Sequence, residues 1–181
     1  AVTIKNNLYV ASNADKQAVV THHPSDQVVA GQAIARFEFG ISKGTFWSPS
    51  GKLLAFYQKD ETQVHDYPLL DMTATPGELK SIKYPMAGQK SETAKVGVYN
   101  TNTKKFVYMQ TDKSGLDKEH YLTNVAWDPT EMFVYIAEVN RDQNHMKLNK
   151  YNASTGEFVM TLFEEKNAKY VEPEHPAKFI P

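Results

Sequence analysis

Cysteine is absent from this sequence of 181 residues. Its absence excludes disulfides, thiol nucleophiles and cysteine-ligated metal, and it leaves the cellular compartment open. An excess of one charge is lacking too. The chain has 20 Lys and Arg against 21 Asp and Glu, so neither nucleic acid nor an anionic membrane is an expected partner. No apolar run approaches the roughly 20 residues of a membrane helix. The start, Ala1-Val2-Thr3-Ile4-Lys5, has no secretory h-region. Either a signal has been removed or the sequence begins inside a longer protein, and the second is the expectation. Metal-ligand spacing is missing as well. His22 and His23 are adjacent and point apart on a strand, the other histidines are scattered, and no calcium-loop pattern occurs. No metal and no cofactor are therefore expected. Helical periodicity is almost absent. No apolar stripe at three- and four-residue spacing lasts three turns, and only Pro76-Gly77-Glu78-Leu79-Lys80 reads as opening a brief turn of helix.

What is present has a period of two. Ten tyrosines and nine phenylalanines suit the half-buried surface of a sheet. Asn7-Leu8-Tyr9-Val10-Ala11 and Gln17-Ala18-Val19-Val20-Thr21 read as paired strands across a polar turn at 12–16. Ser48-Pro49-Ser50-Gly51 is a turn that leads into the apolar run Leu53-Leu54-Ala55-Phe56-Tyr57. Lys95 to Tyr99 and Lys105 to Met109 alternate around the hairpin turn 100–104. Met132 to Val139, Met146 to Tyr151 and Glu157 to Leu162 complete the strand set.

These strands repeat. Phe46-Trp47-Ser48-Pro49 before one apolar strand matches Ala126-Trp127-Asp128-Pro129 before another, and the two tryptophans stand 80 residues apart. Tyr99-Asn100 with Phe106-Val107 matches Tyr151-Asn152 with Phe158-Val159, and those Tyr-Asn pairs stand 52 apart. The first unit therefore carries about 28 extra residues, placed in 66–92. Four short strands with a Trp-x-Pro turn are the sequence form of a propeller blade, whose tryptophan packs between neighbouring blades. An antiparallel sandwich is the alternative. The expected fold is all-β, a fragment of a β-propeller with about two and a half four-stranded antiparallel blades. Residues 1–32 form the outer hairpin of a preceding blade and a linker. Residues 33–115 form a blade with the insertion at about 66–92, residues 116–172 form a blade, and residues 173–181 lead into the next. Open edges predict self-association or strand exchange with a second copy.

Four segments in order resemble the propeller domain of the dipeptidyl peptidase IV family. They are Lys83-Tyr84-Pro85-Met86-Ala87-Gly88, Lys95-Val96-Gly97-Val98-Tyr99-Asn100-Thr101, Glu119-His120-Tyr121-Leu122, and Asn140-Arg141-Asp142-Gln143-Asn144. The resemblance implies a periplasmic or extracellular serine exopeptidase whose Ser-Asp-His triad lies in a C-terminal α/β-hydrolase domain, leaving this chain inactive alone. It implies a peptide substrate with a penultimate or antepenultimate proline. It also implies that the propeller gates the active site and that its carboxylates help bind the substrate's free amino group. The segment expected to supply them is Ala33-Ile34-Ala35-Arg36-Phe37-Glu38-Phe39-Gly40. The family's dipeptidyl members usually show two adjacent glutamates there. This chain has only Glu38, as in the related prolyl tripeptidyl peptidases, so the length of the released peptide stays open. Arg36 could orient the carboxylate. The competing reading pairs Glu38 with Arg36 or Lys43 on a solvated loop. Arg141, Gln143 and Asn144 read either as a loop lining the central cavity or as a hydrogen-bonded turn.

Gly40-Ile41-Ser42-Lys43-Gly44 matches a nucleophile elbow, but a blade entry follows it where a helix is required, so Ser42 is not expected to be a nucleophile. A stand-alone binding or scaffold propeller is the alternative function.

Overall fold

The computed structural model describes residues 1–11, 18–23, 25–116 and 119–180. The polar turn expected at 12–16 and the last residue of the expected lead-out, Pro181, lie outside them. Among the described residues fourteen strands form four antiparallel sheets.

A first sheet joins β1 (Val2–Ile4), β2 (Asn7–Val10) and β3 (Ala18–Val19) in that order. The first full blade is built on β6 (Leu53–Asp60). One side of β6 pairs with β9 (Thr93–Asn100), which pairs with β10 (Lys105–Tyr108). The other side pairs with two short pieces, β4 (Val28–Ala30) and β5 (Thr45–Trp47). Between β6 and β9 an arm projects, a hairpin of β7 (Asp66–Asp71) and β8 (Glu78–Lys83). The second blade runs β11 (His120–Trp127), β12 (Phe133–Asn140), β13 (His145–Asn152) and β14 (Phe158–Lys166) in sequence order. Both central strands, β6 and β12, are buried along most of their length, as strands covered on both faces must be.

The repeat seen in the sequence is a repeat of partners. Trp47 stands opposite Leu54, and Trp127 opposite Val134. Ser48 and Asp128 close the same turn, each holding the residue five positions on through its side chain. Gly51 and Glu131 fill its left-handed position at φ 71° and 61°. The blades meet over an apolar layer in which Leu122, Val134, Ile136 and Tyr151 of the second pack on Ala55, Tyr57, Val96 and Val98 of the first. The Trp127 indole N–H donates across this junction to the Phe46 carbonyl at 2.9 Å.

Glu131 locks the same junction from below. It accepts from the Ser50 hydroxyl at 2.6 Å, from the Ser48 hydroxyl at 3.0 Å and from the Ser50 N–H. The Ser50 hydroxyl, followed by the other donors and Lys52, holds the Glu131 carboxyl below its ordinary 4.5. A depressed carboxyl contributes stability that is present above the unfolded value and lost as pH falls through the folded one. Glu131→Ala is therefore expected to melt below wild type at neutral pH, with the gap closing once the pH drops under 4.5. Thermal melts across pH check this, and a gap that stays constant would count against the clasp.

Three features differ from the sequence reading. Pro76–Lys80 opens no helix, because Glu78 to Lys83 pair in register with Asp66 to Asp71 and satisfy their backbone as a strand. Trp47 is not packed between blades as Trp127 is. The three-stranded sheet covers Leu54 and Phe56 but leaves Trp47 41% exposed. The sequence reading also names no strand at β1, β4 and β5, where three residues are too few to show a period, nor at β7 and the eight-residue β11.

Candidate functional site

The site begins with a break in the inner strand of the first blade. In the second blade β11 runs through, with a register shift between Thr123 and Ala126. In the first blade residues 31–44 stand in that place and leave the sheet. Both ends of this excursion are pinned to one residue. Gly31 N–H donates to the Tyr57 carbonyl at 2.8 Å, and Tyr57 N–H donates to the Gly44 carbonyl at 2.9 Å. Gly44 sits against the backbone of Gln32, where no side chain fits.

Apolar anchors carry the excursion toward the second blade. Ile34 and Ile41 are buried in the layer between the blades. Phe39 is buried in the second blade's outward cluster, with its ring 5.1 Å from that of Tyr121. Between these anchors the chain makes two tight turns. Ala35, Arg36, Phe37, Phe39 and Gly40 all take positive φ, between 49° and 68°. Each left-handed non-glycine residue costs about 1–2 kcal/mol. Such runs persist only where surrounding contacts over-determine them, and they cluster at working sites. Glu38 alone in the run is extended, at φ −60° and ψ 164°.

Glu38 lies on the rim of a cleft of about 250 Å³ on top of the blade junction. The excursion contributes Arg36 and Glu38, and the stretch after the arm contributes Tyr84 to Ala87 and Glu92. The second blade adds His120 and Tyr121 from β11, and Arg141 and Gln143 from the β12–β13 turn. Four of the five residues singled out in the sequence thus share one cleft. The fifth, Asn144, serves the turn instead. It exchanges hydrogen bonds with Asn140, accepting from its amide at 2.8 Å and donating its own N–H to it at 3.0 Å.

Both guanidinium groups are occupied. Arg36 donates to the Lys83 carbonyl at 2.8 Å and stacks 4.1 Å over the Tyr84 ring. Arg141 donates to the Tyr121 hydroxyl and lies 5.5 Å over the same ring. Among the described residues the Glu38 carboxylate has no ion-pair or hydrogen-bond partner, neither Arg36 nor Lys43. It is an exposed acceptor on a strained turn at the mouth of a cleft, suited to an incoming cation. Ser42 lies in a stretch without regular structure before β5, with no helix after it.

One group under the cleft escaped the sequence reading. Glu138 is fully buried, accepts from the Tyr151 hydroxyl and lies 3.7 Å from His120 Nε2. Burial, together with the Glu138 charge, pushes the Tyr151 hydroxyl well above the usual phenol range. The signal was available: Val134, Ile136 and Glu138 share one face of an apolar central strand, and an acid there must point inward.

A blade of five strands, its inner strand split into β4 and β5, packed against a blade of four, beside part of a third, is a segment of a β-propeller. The description "Dipeptidyl peptidase IV (DPP IV) N-terminal region" matches residues 1–181, and the chain belongs to that family. A Bacteroides ovatus protein described as a dipeptidyl aminopeptidase IV superposes with a TM-score of 0.86 at 50% identity, over 97% of this chain and 24% of its own. The dipeptidyl peptidase 4 of Porphyromonas gingivalis superposes at 0.82 and 23% identity, a likeness of fold, over 94% of this chain and 24% of its own. A protein of Phaeosphaeria nodorum named for dipeptidyl-aminopeptidase B is 28% identical over 99% of this chain and 22% of its own length. The chain thus spans less than a quarter of the relatives it matches.

Proposed function

We propose that this chain is the non-catalytic propeller portion of a serine exopeptidase that releases di- or tripeptides ending in proline, and that its cleft receives the free amino terminus of the substrate. The single observation that carries this reading is Glu38, a carboxylate with no partner among the described residues, held on a left-handed run at the edge of the cleft. An ammonium leaving water needs a charged acceptor within hydrogen-bond reach, and one fixed acceptor measures distance from the end of the peptide. The relatives named as dipeptidyl peptidases support the substrate class. The hydrolysis itself would fall to an α/β-hydrolase domain outside residues 1–181.

The test is to assay the full-length protein on Xaa-Pro and Xaa-Xaa-Pro peptides with free or acetylated amino termini. Far faster cleavage of the free-amino peptides than of the acetylated ones is expected, and the ratio between the Xaa-Pro and Xaa-Xaa-Pro series fixes the length released. Turnover of neither series would favour a binding propeller with no peptidase activity. The chain by itself is expected to show no cleavage and to self-associate in light scattering. Val159, Met160, Leu162 and Phe163 on its last strand are each about half exposed, and a stable monomer at high concentration would contradict this.

A further inference from the structure

The left-handed run before Glu38 does not hold itself. Ala35, its first member, donates its N–H to Glu92 Oε1 at 2.8 Å, across 57 residues of sequence. Arg36, the second, is tied to the Lys83 carbonyl and the Tyr84 ring. Both ties run to the end of β8 and the stretch that follows it. Glu92 is well placed to anchor, because it immediately precedes β9, which is paired along its whole length with β6. A carboxylate that accepts a backbone N–H makes one of the stronger hydrogen bonds available to a turn.

We propose that Glu92 is a positioning residue: with Arg36 it clamps the run 35–37 in its left-handed form and so sets where Glu38 stands in the cleft. The proposal rests on Glu38 taking the substrate amino terminus, and its test separates the two ideas. Glu92→Ala removes the acceptor, whereas Glu92→Gln removes the charge and keeps an oxygen that can accept.

Amide hydrogen exchange at Ala35 reads the clamp directly. Kinetics of the full-length protein on free-amino peptides read its consequence. In Glu92→Ala, exchange at Ala35 is expected to quicken at least tenfold. The kcat/KM for free-amino peptides is expected to fall about tenfold, carried by KM with kcat nearly kept. Glu92→Gln should restore protection and most of the kcat/KM. Unchanged exchange in Glu92→Ala overturns the clamp. Equal kinetic damage from Gln and Ala, with protection intact in Gln, also overturns it, since the charge of Glu92 would then be meeting the substrate itself. If Ala35 loses protection in Glu92→Ala while Glu38→Gln leaves the kinetics untouched, the clamp stands and the amino-terminus reading falls.

Discussion

Glu38→Gln in the full-length protein is expected to lower kcat/KM for free-amino peptides roughly 10- to 100-fold. A hydrogen bond to a charged group contributes about 1.5–3 kcal/mol, and every 1.4 kcal/mol is about a factor of ten. Glutamine keeps the shape of the side chain and one acceptor oxygen, so the turn is undisturbed and the change reports charge. The loss should appear mainly in KM, because the ammonium is bound alike before and during the reaction. Acetylated peptides, which carry no ammonium, should be turned over as poorly as by wild type. Parallel kinetics on the two substrate series decide the matter. Equal losses on both would mean that Glu38 supports the fold of the cleft, and no loss on either would remove it from the site.

Gly44→Ala is expected to have the second large effect, on stability and on the site together. The Cβ it adds would fall on the backbone of Gln32, well inside van der Waals contact. Backbone cannot step aside as a side-chain tip can, and overpacking of this kind costs about 3 kcal/mol at the upper end of its usual range. For a chain of this length that corresponds to a drop in melting temperature of about 6–12 °C. The neck of the excursion would open, and the two hydrogen bonds that fix Gly31 and Gly44 to Tyr57 would have to lengthen. Gly51→Ala is the control. A Cβ there meets nothing within 4 Å, so only the local strain of φ 71° is added. Calorimetry on the two variants should rank Gly44→Ala far below Gly51→Ala. Similar melting temperatures would mean that the neck can relax.

The blade pattern was legible because it is written in alternation and in a repeat. Trp47 and Trp127, followed by turns that Ser48 and Asp128 close alike, align two blades without a coordinate. Glu38 was singled out by the likeness of its neighbourhood to a known family. Its exposed carboxylate and the positive φ angles around it came only with the structure. Ala35, Arg36 and Phe37 carry no sequence mark of left-handed backbone, since glycine, asparagine and aspartate are the usual occupants. Glu92 was equally silent. Its importance comes from a contact 57 residues away, and local pattern does not report such contacts. The arm was misread at Pro76-Gly77 because a proline and glycine beside Glu78-Leu79-Lys80 look like a helix start, whereas pairing with β7 decides the outcome.

The split inner strand has a wider meaning. At the corresponding point of the second blade, the register shift holds Asn124 at φ 52°. A bulge takes up extra residues locally and leaves the partners on either side in place. The inner strand of both these blades thus contains an expansion joint. It can swell from two residues to fourteen while Trp47 still faces Leu54 as Trp127 faces Val134. A propeller built this way can acquire a new recognition loop at a single seam, one blade at a time, without redrawing any of its strand pairings.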